Sequence, residues 1–316
     1  MIGASVLAAT GLIAAAAFVL AWLLVPATVG ILERAALTRP NYRGQPLTKA
    51  GGLAVLLASL AVAAVPGLPG LMGRAPVPGA PAGGDLYAFL FGATLAGLVG
   101  LLDDLAGDAT ARGLGGHLRQ FGAGRVTTGL LKLFFIALGA VTAGSVAAGS
   151  SAGVNPYLGP YWLGLVATVN AVTIAGTANL MNLLDLRPGR TLKAFLALGL
   201  VYFGLSRSPV HGYFLAAPLG AALAVFPAEL GERVMLGDVG ANFLGFALGS
   251  AVAFDLPLAP KLVFGFGVVL ANLAAERVSL GRLIDNNAAA RFVDRLGRRG
   301  PGDDRRGSGD DRPGRM

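Results

Sequence analysis

Nine apolar stretches separated by short polar segments dominate the chain, at about residues 5 to 25, 50 to 66, 86 to 102, 127 to 148, 160 to 182, 192 to 206, 213 to 227, 239 to 254 and 258 to 274. Unbroken apolar runs of this kind read as helices, and the longer ones reach the roughly 20 residues that cross a bilayer. The shorter ones imply tilted, locally thinned or broken spans. After Glu276 the pattern changes. Val278, Leu280, Leu283, Ile284, Phe292, Val293 and Leu296 recur near helical spacing with basic residues between them. This predicts an amphipathic helix over 276–299, lying on an anionic membrane surface. The polar remainder, 300–316, is expected to be a disordered tail. The pattern therefore predicts an all-α polytopic integral membrane protein, its transmembrane domain covering 1–275.

Composition excludes the soluble alternative. Hydrophobic residues make up 54% of the chain and charged residues only 13%, about half the charged fraction of an ordinary soluble domain. The formal charge of +8 is scattered in the short segments between apolar runs and forms no basic stripe with interleaved aromatics, so no nucleic-acid partner is expected. With no cysteine there is no thiolate metal site and no thiol nucleophile. The first stretch lacks a basic n-region and a small-x-small cleavage site before Glu33 and Arg34, so it reads as a retained helix.

Charge also orients the chain. With the N-terminus outside, 22 of the 25 Lys and Arg fall on inner loops and the C-terminal segment, leaving Arg74, Arg207 and Lys261 outside. The positive-inside rule then makes the C-terminus cytoplasmic. The sequence leaves the oligomeric state open and is compatible with a homodimer.

Carboxylates and amides gather on the inner side, with Asp103, Asp104 and Asp108 in LLDDLAGD, Asn179, Asn182 and Asp185 in ANLMNLLD, and Asp238 in MLGDVGAN. One Asp at a helix end is ordinarily a cap, but three loops sharing the pattern point to a site, because ionisable groups at this depth are expensive. Adjacent Asp103 and Asp104 lie about 100° apart on a helix, so one faces a pocket while the other pairs with a loop cation. Asn179, Asn182 and Asp185 are expected along one face as a column of oxygens, a donor type that suits Mg²⁺. Lys132 either snorkels to the surface or binds phosphate. Arg187 and Arg190 are candidates for phosphate contacts, set against the cations expected at any cytoplasmic helix end. The paired glycines Gly51 and Gly52, with Gly240, Gly245 and Gly249, read as packing positions, and the isolation of His117 and His211 argues against a histidine-based site.

In order along the chain stand RPNYRGQPLTKAGGL, GLVGLLDDLAGD, Lys132, NLMNLLD and GDVGANFLG. This ordered set, from about residue 30 to 275, resembles the polyprenyl-phosphate N-acetylhexosamine-1-phosphate transferases, the superfamily that includes the phospho-N-acetylmuramoyl-pentapeptide translocase. The resemblance implies transfer of a sugar 1-phosphate from a UDP-sugar, the nucleotide-sugar donor, to a polyprenyl phosphate lipid in a bacterial cytoplasmic membrane, releasing UMP. It implies Mg²⁺ held by Asp238, with Asp103 acting on the lipid phosphate and Asp104 beside it. Asn182 and Asp185 would line the nucleotide-diphosphate pocket, and Lys132 would counter phosphate charge. Two positions depart from the family pattern. Pro188 stands where a second Asp is usual, and no histidine cluster follows the ninth stretch.

Overall fold

The computed structural model describes residues 2–65, 81–107, 113–152, 159–206, 212–278 and 280–298. The expectations for Asp108, Arg74, Arg112, Arg207, His211, most of the first outer loop and the 300–316 tail fall outside these residues. Every one of the nine apolar stretches is a helix: α1 (Ile2–Arg34), α2 (Ala50–Ala64), α3 (Gly83–Ala106), α5 (Thr128–Ala152), α6 (Pro160–Leu184), α7 (Arg190–Leu205), α8 (Tyr213–Leu230), α9 (Gly237–Asp255) and α10 (Leu258–Arg277). Seven are long and apolar enough to cross a membrane. The other two, α2 with 15 residues and α7 with 16, rise only about 22–24 Å, less than the roughly 30 Å of a bilayer core.

Two local structures depart from the predicted pattern. A short helix, α4 (Gly113–Gly122), lies in the loop before α5, where no apolar run announces it. The C-terminal amphipathic segment is two helices, α11 (Leu280–Asn286) and α12 (Ala288–Arg295). The break has a chemical cause, since the Asn287 side chain caps α12 by accepting from the Ala290 amide at 2.9 Å, which takes Asn287 out of helical conformation.

The centre of the bundle is α9, which is buried along nearly its whole length and packs on α6, α3, α2 and α5. Small residues make this possible, as close backbone approach is what holds helices together in lipid. A Cβ on Gly52 of α2 would overlap the Leu236 carbonyl and the Gly240 amide, and one on Gly100 of α3 would overlap the Asp238 carbonyl. Gly245 and Gly249 meet the α6 backbone at Thr177–Ala178 and Ile174 in the same way. Gly52→Ala is therefore expected to destabilise the protein by about 2 kcal/mol or more, read as a lowered unfolding midpoint in detergent. Gly204→Ala, which meets nothing within 4 Å, should stay near wild type, and equal midpoints for the two variants would refute this packing account.

A two-stranded antiparallel hairpin, β1 (Thr38–Pro40) with β2 (Pro46–Thr48), follows α1. Its tip grips the α8–α9 loop. Asn41 and Tyr42 donate to Glu232 at 3.2 and 3.1 Å, Arg43 pairs with it at 3.2 Å, and the Met235 amide donates to the Thr48 carbonyl at 2.9 Å. The hairpin thereby fixes the approach to α9 at the end of the bundle that holds the acidic residues.

Candidate functional site

Four helices bring one polar cluster together. Lys132 of α5 donates to Asp103 of α3 at 2.9 Å and to Asp238 of α9 at 2.7 Å. Asn182 of α6 completes it. With its amide turned so that both ends are satisfied, the nitrogen donates to the two Asp238 oxygens at 3.1 and 3.3 Å, and the oxygen accepts from Lys132 at 3.0 Å. The Lys132, Asp103 and Asp238 side chains are mostly but not wholly buried, so the cluster sits at the bundle end with access to solvent. The close seat of Gly100 against the first turn of α9 brings Asp103 and Asp238 within reach of a single ammonium group.

Asp104 points elsewhere, as the 100° step requires. Its side chain is 2% exposed. It accepts from the Asp238 and Val239 amides, both at 3.0 Å, and pairs with Lys49. It thus satisfies two of the open amides at the start of α9 and sets the backbone that carries Asp238. The turn into that helix needs Gly237, whose φ of +67° is a left-handed conformation. A Cβ there would crowd Lys49 Cδ at 2.6 Å and Asp104 Oδ2 at 2.7 Å. Asp104 is accordingly a positioning residue, set apart from the Asp103–Lys132–Asp238 contacts. Lys49 is half-buried; burial works to lower its pKa, but the charges of Asp104 and Asp238 outweigh this and hold it above the ordinary lysine value.

Asp185 follows the last turn of α6 and accepts from Thr191 at 3.2 Å. Burial, aided by the charge of Asp238, pushes its carboxyl up to about 7, a range suited to proton exchange near neutrality. It lies beside the cluster and bonds to none of its members among the described contacts. Next to it is Glu229, 2% exposed, which accepts from the Gly189 amide at 3.2 Å.

One expectation, the oxygen column, needs correction, and two cations find partners outside the cluster. Asn179 is exposed and donates to Asn272 of α10 at 2.6 Å, away from the cluster. The expected column of Asn179, Asn182 and Asp185 fans out because each step of three residues turns the face back by about 60°, and because the helix stops at Leu184. Arg187 and Arg190 do not face the cluster either. Arg187 forks onto Asp285 at 2.9 and 2.8 Å, and Arg190 onto Asp294 at 2.8 and 3.1 Å, so both bind the C-terminal helices. Asp285 and Asp294 carry no sequence signal, because a lone Asp in a basic amphipathic segment reads as a solvated charge. Lys49 was legible only as one residue within RPNYRGQPLTKAGGL.

No protein-family model matches the chain, and no curated protein matches it.

Beside Asp104, between the end of α1, strand β1 and the end of α3, is a cleft of about 150 Å³. Leu32, Leu37, Leu101 and Leu105 form its apolar wall, with Arg39 and Lys49 at its polar edge. Arg39 is held there by the carbonyls at the end of α3, at 2.9 Å to Leu105 and 3.4 Å to Asp104. Among the described residues no group of three or more His, Asp or Glu is placed to hold a metal ion. The cluster offers a smaller hard-oxygen set, two carboxylates and one amide. Since Asp103 and Asp238 both reach one nitrogen, they can share one cation. That donor set fits Mg²⁺, which takes one or two carboxylates and fills its shell with waters and substrate phosphates.

Proposed function

We propose that this protein transfers a sugar 1-phosphate from a UDP-linked sugar to a polyprenyl phosphate at the cytoplasmic face of a bacterial cytoplasmic membrane, releasing UMP. The observation that carries the reading is the convergence of Asp103, Lys132, Asn182 and Asp238 from four helices at one end of an apolar bundle. A lipid phosphate and a water-soluble nucleotide can meet only at such a surface. The cleft beside Asp104 supports it, pairing an apolar wall with two cations as the head of a phospholipid requires.

In this reading Asp238 and Asp103 would hold Mg²⁺, which neutralises diphosphate charge and orients the leaving group for displacement. Lys132 counters the phosphate charge, and Asn182 orients Asp238. Asp103 positions the lipid phosphate, and Asp185 lines the nucleotide end.

The test is direct. Purified protein with polyprenyl phosphate, Mg²⁺ and a panel of UDP-sugars should release UMP, and Asp238→Asn should abolish the release. Absence of nucleotide release across a broad panel, from protein shown to be folded, overturns the reading. A second reading, a non-catalytic relative that binds polyprenyl phosphate or a partner enzyme of cell-envelope glycan synthesis, is favoured by Pro188 and by the engagement of Arg187 and Arg190 with the C-terminal helices. It predicts lipid-phosphate binding that survives Asp238→Asn, without turnover in either form.

A further inference from the structure

The loop after Asp185 holds more positive charge than the acid that meets it. Arg187, Arg190 and Lys193 gather on the bundle side, the carboxylates bonded to the two arginines among the described residues are Asp285 and Asp294 of the C-terminal segment, and that segment brings Arg298 with it. Besides its fork on Asp285, Arg187 comes within 3.8 Å of Asp294. Arg298 donates to Asp294 at 2.6 Å and to the Pro188 carbonyl at 3.0 Å. Lys193 donates to the carbonyls of Val293 and Asp294 at 2.9 and 2.8 Å. Asp294 is 4% exposed and Arg190 5%, and the Nη1 nitrogen of Arg190 is buried with no hydrogen-bond partner among the described residues. Two acids on four cations leave a surplus of donors, with Arg190 and Asp294 closed to water and Arg187 and Asp285 partly open to it.

The forked contact of guanidinium on carboxylate is the geometry it also uses on phosphate. Both acids come from one segment, α11–α12, whose remaining surface is open, with Leu283, Phe292, Val293 and Leu296 exposed. Arg187 and Arg190, by contrast, belong to the bundle loop that directly follows Asp185. We propose that Arg187 and Arg190, with Lys193 beside them, form a site for a phosphoanhydride anion, and that α11–α12 occupies it as a displaceable internal ligand, Asp285 and Asp294 standing where phosphate oxygens bind. The identity of the anion as a nucleotide donor rests on the transferase reading; the existence of the site does not. An anion that enters must release the two carboxylates, so binding and undocking of α11–α12 are one event.

The test uses the unmodified full chain in detergent and inorganic pyrophosphate as probe, with sodium sulfate at matched ionic strength as control. Hydrogen exchange over 280–298 should quicken with pyrophosphate and not with sulfate. Asp285→Asn should bind pyrophosphate roughly fivefold more tightly than wild type, the scale of removing one half-exposed ion pair from the competition. The gain should vanish in Asp285→Asn combined with Arg187→Gln. Unchanged exchange, or equal quickening by sulfate, overturns the proposal and makes α11–α12 a permanent cap. Because exchange is read on the unmodified chain, a variant that misfolds does not rescue or sink it. UDP in place of pyrophosphate separates the two readings: displacement by pyrophosphate but not by UDP leaves the anion site standing and counts against the nucleotide donor.

Discussion

Replacing Asp104 with alanine is expected to lower stability more than any other single change at this end of the bundle, by about 3–5 kcal/mol. Three losses coincide. The amides of Asp238 and Val239 lose their acceptor, Lys49 loses its partner, and a buried space opens under Gly237. Each buried donor left unmet costs about 1–3 kcal/mol, and the shielding of Lys49 from water is incomplete, which keeps the sum from going higher. Asp104→Asn should fall between, because the amide oxygen still accepts while the charge is gone. The measurement is the unfolding midpoint of the three proteins in detergent. If the alanine variant unfolds at the wild-type midpoint, the carboxylate does not cap α9. UMP release should fall with it even under conditions where the variant stays folded, because the first turn of α9 carries Asp238.

The second large effect is expected at Lys132. Lys132→Met removes the cation that bridges Asp103 and Asp238, leaving two carboxylates facing a single point. The expected cost is about 2–4 kcal/mol, at or below the range for breaking a buried pair because all three groups retain some solvent. A second change distinguishes charge from shape. Lys132→Met with Asp103→Asn should regain stability relative to Lys132→Met alone, since one of the two stranded charges is removed. A double variant no more stable than the single one would show that Lys132 acts by packing. Turnover, where it is measured, should drop in the single variant by a larger factor than its loss of folded protein accounts for.

Much of the fold was legible in the residues because the membrane makes one demand on every segment: backbone polar groups must be satisfied within the helix. An apolar run such as 86–102 or 258–274 has no other stable form, and each run is a helix. The glycines were legible for a related reason, since Gly52 and Gly245 sit where two backbones must nearly touch. The opposite orientations of Asp103 and Asp104 followed from helix geometry alone. The hairpin tip on Glu232 was not legible, because Glu232 lies far from Asn41 and Tyr42 in the chain and nothing local marks the pair.

The candidate site divides along the same line. Asp103, Asp238, Lys132 and Asn182 were each recognisable as polar groups at helix ends, and the order of their motifs carried the family resemblance. That they form one cluster, with Lys132 shared between two carboxylates, depends on how α3, α5, α6 and α9 pack. Asn179 shows the limit of spacing, since even a three-residue step turns the face by about 60°, enough for Asn179 to meet Asn272 of α10 while Asn182 meets Asp238. Arg187 and Arg190 show another. A basic residue after a helix reads the same whether it meets a phosphate, water or an acid a hundred residues away, and here it meets Asp285 and Asp294.

By itself the sequence determined a helical membrane protein and the supply of carboxylates, amides and cations at the helix ends, because hydrophobic length and local chemistry are properties of contiguous residues. Only the tertiary structure decided which of them meet. Asp104 became a cap, Lys132 a bridge, and Arg187 and Arg190 anchors for the C-terminal helices, because partner choice is set by packing across the bundle, where the glycine contacts around α9 fix the distances.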